Sequence, residues 1–215
     1  MQIFSMDNAF FRFMGRLTDL VWINILTLVC CLPVITAGAA ISAMYKVLIK
    51  IAMENVGGLT RMYFGAFKNN FKQATKIWIP TLLIMLIMLS NAWLIHQGIL
   101  DASPALLIGA GISIGIITVV VILLQIYALS LLAFYDNTLK QTVKNAFLLI
   151  LAYLPRSLCM VIILLFPLAL MMISDWFLFL WGLYGLAVPG YVNAMLLGRI
   201  FQKTEEVDAG GFREV

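Results

Sequence analysis

The residues that could carry chemistry are few and lie in a strongly apolar chain. His96 is the single histidine among 215 residues, with Asn91 before it and Asp101 after it. A histidine beside an aspartate at a membrane surface could bind a ligand or respond to pH, because imidazole titrates near neutrality. The alternative is an interfacial histidine that hydrogen-bonds only to solvent. We treat these three residues as a candidate polar site, which the topology below predicts at the outer face.

Catalytic and metal-binding patterns are missing from the sequence. Cys30, Cys31 and Cys159 lie inside apolar runs, without the C-x-x-C spacing or the His/Cys cluster that a zinc site requires. No phosphate-binding loop, H-E-x-x-H or G-x-S-x-G motif is present. Because an enzyme requires convergent polar groups, we predict a protein without enzymatic activity, metal or cofactor.

Composition indicates a membrane protein. Hydrophobic residues make up 63% of the chain and charged residues 11%, with a mean hydropathy of +1.03. A soluble domain has about 45–50% apolar and about 25% charged residues, so that class is excluded. The net charge of +4 then indicates orientation in a lipid bilayer, and we predict no nucleic-acid partner. The fold class that follows is an all-α polytopic helical bundle.

Six apolar segments are long enough to cross or nearly cross a bilayer of about 30 Å. They are Leu17–Ile35, Thr36–Met53, Ile77–Leu100, Pro104–Tyr135, Ser157–Ser174 and Trp176–Ile200. Five crossings are clear from length alone. The doubtful segment is the second, because Lys46 and Lys50 lie inside it and a buried ammonium group costs about 2.5–3.5 kcal/mol.

The distribution of cations favours six crossings. With the second segment counted, the connections Pro33–Ala40, Asp101–Ser103 and Asp175 contain no Lys or Arg, and all fourteen cations lie on the other side. We therefore predict six helices with both termini cytoplasmic, in one membrane domain over residues 1–201, followed by a disordered tail over 202–215. The alternative is a re-entrant second segment, which puts the N-terminus outside unless the first helix is re-entrant with it.

Two basic helices are predicted on the cytoplasmic side. Lysines recur at i, i+4 and i+8 in Leu59–Lys76, and Phe64, Phe67 and Phe71 supply the apolar face of this segment. A second basic stretch follows the fourth apolar segment, and its lysines match the first stretch at one offset, which suggests an internal repeat. The candidate partner-docking residues are Lys68, Lys72, Lys76, Lys140 and Lys144.

Small and polar residues inside the apolar segments predict helix packing. Gly111 with Gly115, and Gly190 with Ala194 and Gly198, have the small-x-x-x-small spacing that lets helices approach closely. We expect them to pack within the chain, with dimerisation as the alternative. Interhelical hydrogen bonding is the expected role of the deeper polar residues, with a substrate path as the alternative. These residues are Asn24, Thr27, Asn91, Gln125, Ser130 and Asn193.

Two motifs give the chain a family resemblance. Asn24, the run Leu32–Ala40 (LPVITAGAA) and Ala43–Tyr45 (AMY) resemble the first motif of the YesL family of bacterial membrane proteins. Phe67–Ala74 (FKNNFKQA) is similar to the second motif of that family. The resemblance implies a multi-pass protein of the bacterial plasma membrane, often encoded near carbohydrate ABC importers and two-component regulators. The family has no established activity, so the resemblance implies no catalytic residues.

The first motif also has a physical interpretation of its own. Pro33 would end or bend the first helix, Thr36 would cap the next, and Gly38 would permit close backbone approach. Together these residues predict a helical hairpin that turns at the outer face. A broken helix lining a ligand site is the alternative.

The functional hypotheses follow from the basic helices and the missing catalytic groups. The favoured hypothesis is a non-enzymatic accessory or regulatory subunit whose lysines bind ABC-importer or sensor-kinase subunits. The proline-interrupted helices and the suggested repeat favour a second hypothesis, a small transporter or channel component that moves a solute by itself.

Overall fold

The computed structural model describes residues 9–53, 58–97, 103–135, 138–172 and 175–211. All regular structure in these ranges is helical, with a short 3₁₀ turn, Val34–Thr36, between the first two helices. The helices are α1 (Ala9–Cys31), α2 (Ala37–Met53), α3 (Leu59–His96), α4 (Pro104–Phe134), α5 (Leu139–Ala152), α6 (Leu154–Met171), α7 (Asp175–Tyr184) and α8 (Ala187–Gly211).

The helices confirm the predicted class of an all-α, membrane-type bundle. Among the described residues, five helices are long and apolar enough to cross a membrane, and α7 with α8 makes a sixth if the bent pair is one span. The second segment, over Val34–Met53, passes this test although it contains Lys46 and Lys50. The length and composition of these helices are therefore those of a multi-pass membrane protein.

The sequence suggested that the basic segment after α2 forms a separate helix, but it does not. It continues without a break into the next apolar segment to form α3, which has 38 residues and contains Pro80. Proline removes a backbone donor and normally disrupts a helix interior. Here the Thr81 hydroxyl donates to the carbonyl oxygens of Ile77 at 3.0 Å and Trp78 at 2.8 Å, which supplies side-chain bonds on the preceding turn.

The last apolar segment is broken, whereas the sequence suggested one long helix. Helices α7 and α8 are bent by 46° relative to each other, and Gly185 and Leu186 separate them. Pro189 lies in the first turn of α8, where proline needs no backbone donor. The helix also continues to Gly211, although we predicted a disordered tail from Gln202, because residues 202–209 contain no helix-breaking proline or glycine.

Helix α2 is the centre of the bundle and packs against α1, α3, α4 and α8. Its fully buried residues include Ala39, Ala43, Val47, Leu48 and Ile49. Small and branched side chains dominate this helix, so four neighbours can approach it closely. The second half of α3 and the first half of α4 instead expose most of their apolar side chains.

The packing contacts fix the relative direction of two helices. A Cβ added at Gly190 of α8 would meet Leu48 and Met44 of α2, and one added at Gly198 would meet Met53 and Ile49. The two helices are therefore parallel, and their C-termini lie at the same end of the bundle. This packing confirms the prediction for the small residues of α8.

Gly111 and Gly115 do not pack against any residue that the structure describes, so the prediction of packing within the chain is wrong for them. A Cβ added at either glycine would meet nothing within 4 Å. Their neighbours Ile108, Ile112 and Ile116 are 65%, 59% and 61% exposed. The first half of α4 extends beyond the α2-centred core, and no other described helix covers this face.

Candidate functional site

Asn24 of α1 connects the first helix to the break between α7 and α8. Its Nδ2 donates to the Gly182 carbonyl at 2.7 Å, and its Oδ1 accepts from the amides of Leu186 at 3.0 Å and Ala187 at 2.9 Å. The residue is fully buried. Helix ends leave backbone groups without intrahelical partners, and lipid offers none. One side chain therefore bonds to both ends of a broken helix.

The turn between α1 and α2 contains Pro33 and Thr36 as predicted, but Thr36 bonds to other groups than expected. The Thr36 hydroxyl donates back to the carbonyls of Cys30 at 2.5 Å and Pro33 at 2.7 Å. It therefore closes the end of α1, and the expectation that it would cap α2 is wrong. The physical reason is that Thr36 lies in the 3₁₀ turn, so its hydroxyl reaches the preceding carbonyls.

Gly38 confirms the predicted close approach, and its partner is α3. A Cβ at this position would lie 2.6 Å from Cβ of Trp78 and 3.0 Å from the Ala74 carbonyl oxygen. The Trp78 indole also donates to the Val34 carbonyl at 2.7 Å. The glycine and the tryptophan together hold the tip of the α1–α2 hairpin against α3.

Buried side chains also join α2 to α4 and α3, and α8 to α6. The Ser42 hydroxyl donates to the Leu129 carbonyl of α4 at 3.0 Å and accepts from Asn70 of α3 at 3.3 Å. On α8, Asn193 donates to the Met160 carbonyl of α6 at 3.3 Å. Ser42 and Asn193 are both fully buried, so these bonds join helices in the interior of the bundle.

Two more side-chain pairs join α4 to its neighbours. Gln125 donates to the Thr81 hydroxyl of α3. The hydroxyls of Tyr127 and Ser157 lie 2.9 Å apart and join α4 to α6. The side-chain oxygens of Gln125 and Asn193 are buried, and neither has a partner among the described residues.

Only some of the predicted polar residues bond between helices. Asn24, Gln125 and Asn193 do so, which confirms that interpretation for them. The other three donate to carbonyls of their own helices: Thr27 to Ile23, Asn91 to Ile87 and Ser130 to Ile126. Thr27 is also a side-chain hydrogen-bond neighbour of Tyr63 on α3. The interhelical bonds of Ser42, Tyr127 and Ser157 were not predicted, because an isolated hydroxyl in an apolar run does not indicate which neighbour it will bond to.

The described residues do not come together as the candidate outer-face site. Asn91 is exposed and bonds within α3, and His96 is exposed at the end of that helix. Asp101 lies outside the described residues. A separation of five residues also puts Asn91 and His96 on different faces of one helix. The three cysteines are unpaired, and no three described His, Cys, Asp or Glu side chains lie close enough to hold a metal ion.

The five predicted docking lysines are all exposed. Lys68, Lys72 and Lys76 lie on one face of α3, and Lys140 and Lys144 lie on α5. None forms an ion pair or hydrogen bond with another residue of the described ranges. The opposite faces are anchored, because Ala74 on α3 and Ala146 on α5 are fully buried. Each helix therefore has one face packed in the bundle and an opposite face on which the lysine side chains are exposed.

Comparison with known proteins gives one match. Residues 20–92 match the model of a family described as a protein of unknown function, DUF624. The matched segment contains Asn24, the α1–α2 turn and the Lys68–Lys76 face. No curated protein and no solved structure matches the chain.

Proposed function

We propose that this chain is a non-enzymatic accessory or regulatory membrane subunit of the YesL type. It binds an acidic surface of a cytoplasmic or membrane partner through the lysines of α3 and α5. The observation that carries this proposal is the row Lys68, Lys72 and Lys76, three exposed lysines on one helix face whose side chains form no ion pair with any residue that the structure describes.

The spacing of this row supports a protein partner with matching charge. Residues at i and i+4 lie about 6 Å apart along a helix, so the row extends over about 12 Å. Charges arranged in this way raise association rates and select partners of opposite charge. Because the buried side of α3 is packed against α2, the row keeps its spacing when a partner binds.

The partner class comes from the family resemblance. Both resembling motifs lie inside the matched segment of residues 20–92, which supports YesL-type membership. The proposal therefore names subunits of a carbohydrate ABC importer or a sensor kinase as the partners. The protein would assist uptake or sensing of carbohydrate without catalysing a reaction.

Charge reversal tests the proposal. The triple variant Lys68→Glu, Lys72→Glu and Lys76→Glu should lose the copurifying partner, and the matched triple Lys→Arg variant should retain it. Binding should also weaken as salt rises from 0.1 to 1 M, because the Debye length falls from about 10 Å to about 3 Å. Equal partner recovery with the Glu and Arg variants would exclude docking through this row.

A second candidate function rests on the broken span. Discontinuous helices and unpaired polar atoms near the bundle centre are typical of secondary transporters. The α7–α8 break and the unpartnered oxygens of Gln125 and Asn193 favour a small transporter or channel component. Sugar or oligosaccharide flux into proteoliposomes containing this chain alone would support that function, and flux no greater than in protein-free vesicles would count against it.

A further inference from the structure

The tip of the α1–α2 hairpin lies beside the lysine row of α3. Trp78, whose indole bonds to the Val34 carbonyl at 2.7 Å, is two residues after Lys76. Gly38 lies against Ala74 and Trp78, on either side of the same lysine. The turn and Lys76 are therefore at nearly the same depth along α3, although the six-crossing prediction puts them on opposite sides of the bilayer.

Beyond this depth, α3 and α4 extend a long apolar surface. From Trp78 to His96, α3 continues for about 27 Å at 1.5 Å per residue. Helix α4 lies beside it through the Gln125–Thr81 bond, and from Gln125 back to Pro104 it extends for about 31 Å. Leu83, Leu89 and Ile108 on these arms are 55%, 68% and 65% exposed.

The length of these arms equals the thickness of the bilayer interior. The hydrocarbon core is about 30 Å thick, so arms of about 27–31 Å can cross it by themselves. If the hairpin tip reached the far surface, both arms would project from it into water with their apolar side chains exposed. That arrangement is strongly unfavourable because it removes apolar surface from lipid.

We propose that the α1–α2 hairpin is re-entrant, so that only its tip enters the acyl-chain region, at a shallow depth from which Lys76 beside it can extend its ammonium group to water, and the chain then returns to the lysine-bearing side. The surface that contacts lipid is the uncharged tip, where Leu32, Val34 and Ile35 are 79%, 55% and 60% exposed. Its partner is the hydrocarbon of one leaflet. The remaining spans, α3, α4, α6 and the α7–α8 pair, cross the bilayer.

This topology removes the difficulty raised by the lysines of α2. A charged side chain at the bilayer centre is costly, whereas a long side chain near a surface can extend its ammonium group to water. In a re-entrant hairpin α2 leads back to the side from which α1 entered, so Lys46 and Lys50 lie about 12 and 18 Å from Gly38 toward that side and away from the bilayer centre. With an even number of crossings and a returning hairpin, the N-terminus and the end of α8 stay on one side.

Cysteine accessibility tests the topology. In the full chain with Cys30→Ala, Cys31→Ala and Cys159→Ala, single reporters Ile35→Cys, Ser103→Cys, Met172→Cys and Lys68→Cys are reacted with a membrane-impermeant maleimide, in intact cells and in inside-out vesicles. Ser103→Cys and Met172→Cys should react from one side and Lys68→Cys from the other. Ile35→Cys should not react from the Ser103→Cys side. Equal labelling of Ile35→Cys and Ser103→Cys from the same side would overturn the proposal.

A depth measurement tests the lipid contact separately. A bimane fluorophore on Ile35→Cys, in phosphatidylcholine/phosphatidylglycerol vesicles, should be quenched several-fold more by lipids with a nitroxide on the acyl chain than by soluble iodide. The same fluorophore on Lys68→Cys should show the reverse order. Stronger quenching by iodide at Ile35→Cys would overturn insertion of the tip, and monodisperse elution of each variant confirms that it is folded.

Discussion

Asn24 and Leu186 are joined across the bundle by a partly buried hydrogen bond of 3.0 Å, which the Leu186 backbone amide donates to Oδ1 of the Asn24 side chain. The same side chain also bonds to Gly182 and Ala187. The break between α7 and α8 is therefore stabilised from α1. A span that would otherwise leave its backbone groups unpaired in an apolar environment is kept bent by one amide.

Replacing Asn24 should destabilise the bundle. In Asn24→Ala the Gly182 carbonyl and the amides of Leu186 and Ala187 lose their partner. At about 1–3 kcal/mol per buried unpaired group the three together give about 3–9 kcal/mol, and we expect a loss near the lower end because two of the three bonds are only partly buried. Thermal unfolding in detergent measures this effect. Asn91→Ala is the matched control, because that exposed amide bonds only within its own helix. Equal melting temperatures for the two variants would contradict the role of Asn24.

Two glycine substitutions should have opposite effects. Gly38→Ala puts a methyl group 2.6 Å from Cβ of Trp78, so we expect a loss of about 1–3 kcal/mol from overpacking. Gly111→Ala meets nothing within 4 Å in the chain and should be neutral or stabilising by about 0.5–1 kcal/mol. Melting temperatures of the two variants under one condition compare them. A more stable Gly38→Ala variant would show that the hairpin does not pack on α3 in this way.

The Tyr127–Ser157 pair should contribute a measurable coupling between α4 and α6. Tyr127→Phe and Ser157→Ala each remove one hydroxyl of a 2.9 Å contact, and the double variant completes the cycle. We expect a coupling free energy of about 0.6–1.7 kcal/mol, as for other hydrogen bonds between membrane helices. A cycle of Tyr127→Phe with Ser113→Ala should give a value near zero, because Ser113 lies 14 residues away on the same helix and bonds to the Ala110 carbonyl. Equal coupling in the two cycles would mean that the measured value is not specific to the Ser157 contact.

The fold class could be predicted from the sequence because apolar runs report bilayer crossing directly. The extent of α3 and the α7–α8 break could not, since hydropathy shows neither whether a helix continues through a proline nor which side chain bonds to a broken helix. Pro80 lies inside α3, beside carbonyls that the adjacent Thr81 bonds. The break after Tyr184 is stabilised by Asn24, which lies far away in the sequence.

In the candidate site too, residues that form a periodic pattern could be predicted better than isolated residues. The lysine rows were found because charges at i and i+4 form a pattern, and all five side chains are exposed. Gly38 was found as a close contact, but the same reasoning failed for Gly111, whose face has no neighbour within the chain. Small-residue spacing indicates that a helix can be approached, whereas the topology decides whether another helix is there.

Copurification tests the central claim, that exposed lysines of α3 bind an acidic partner. The tagged chain and its triple Lys68→Glu, Lys72→Glu and Lys76→Glu variant are isolated from the native host in mild detergent, and the proteins recovered with each are quantified. We predict that importer or sensor-kinase subunits accompany the unaltered chain in near-equal amounts and are reduced at least tenfold with the variant. Recovery of the unaltered chain without any such subunit, or equal recovery with both, would contradict the claim.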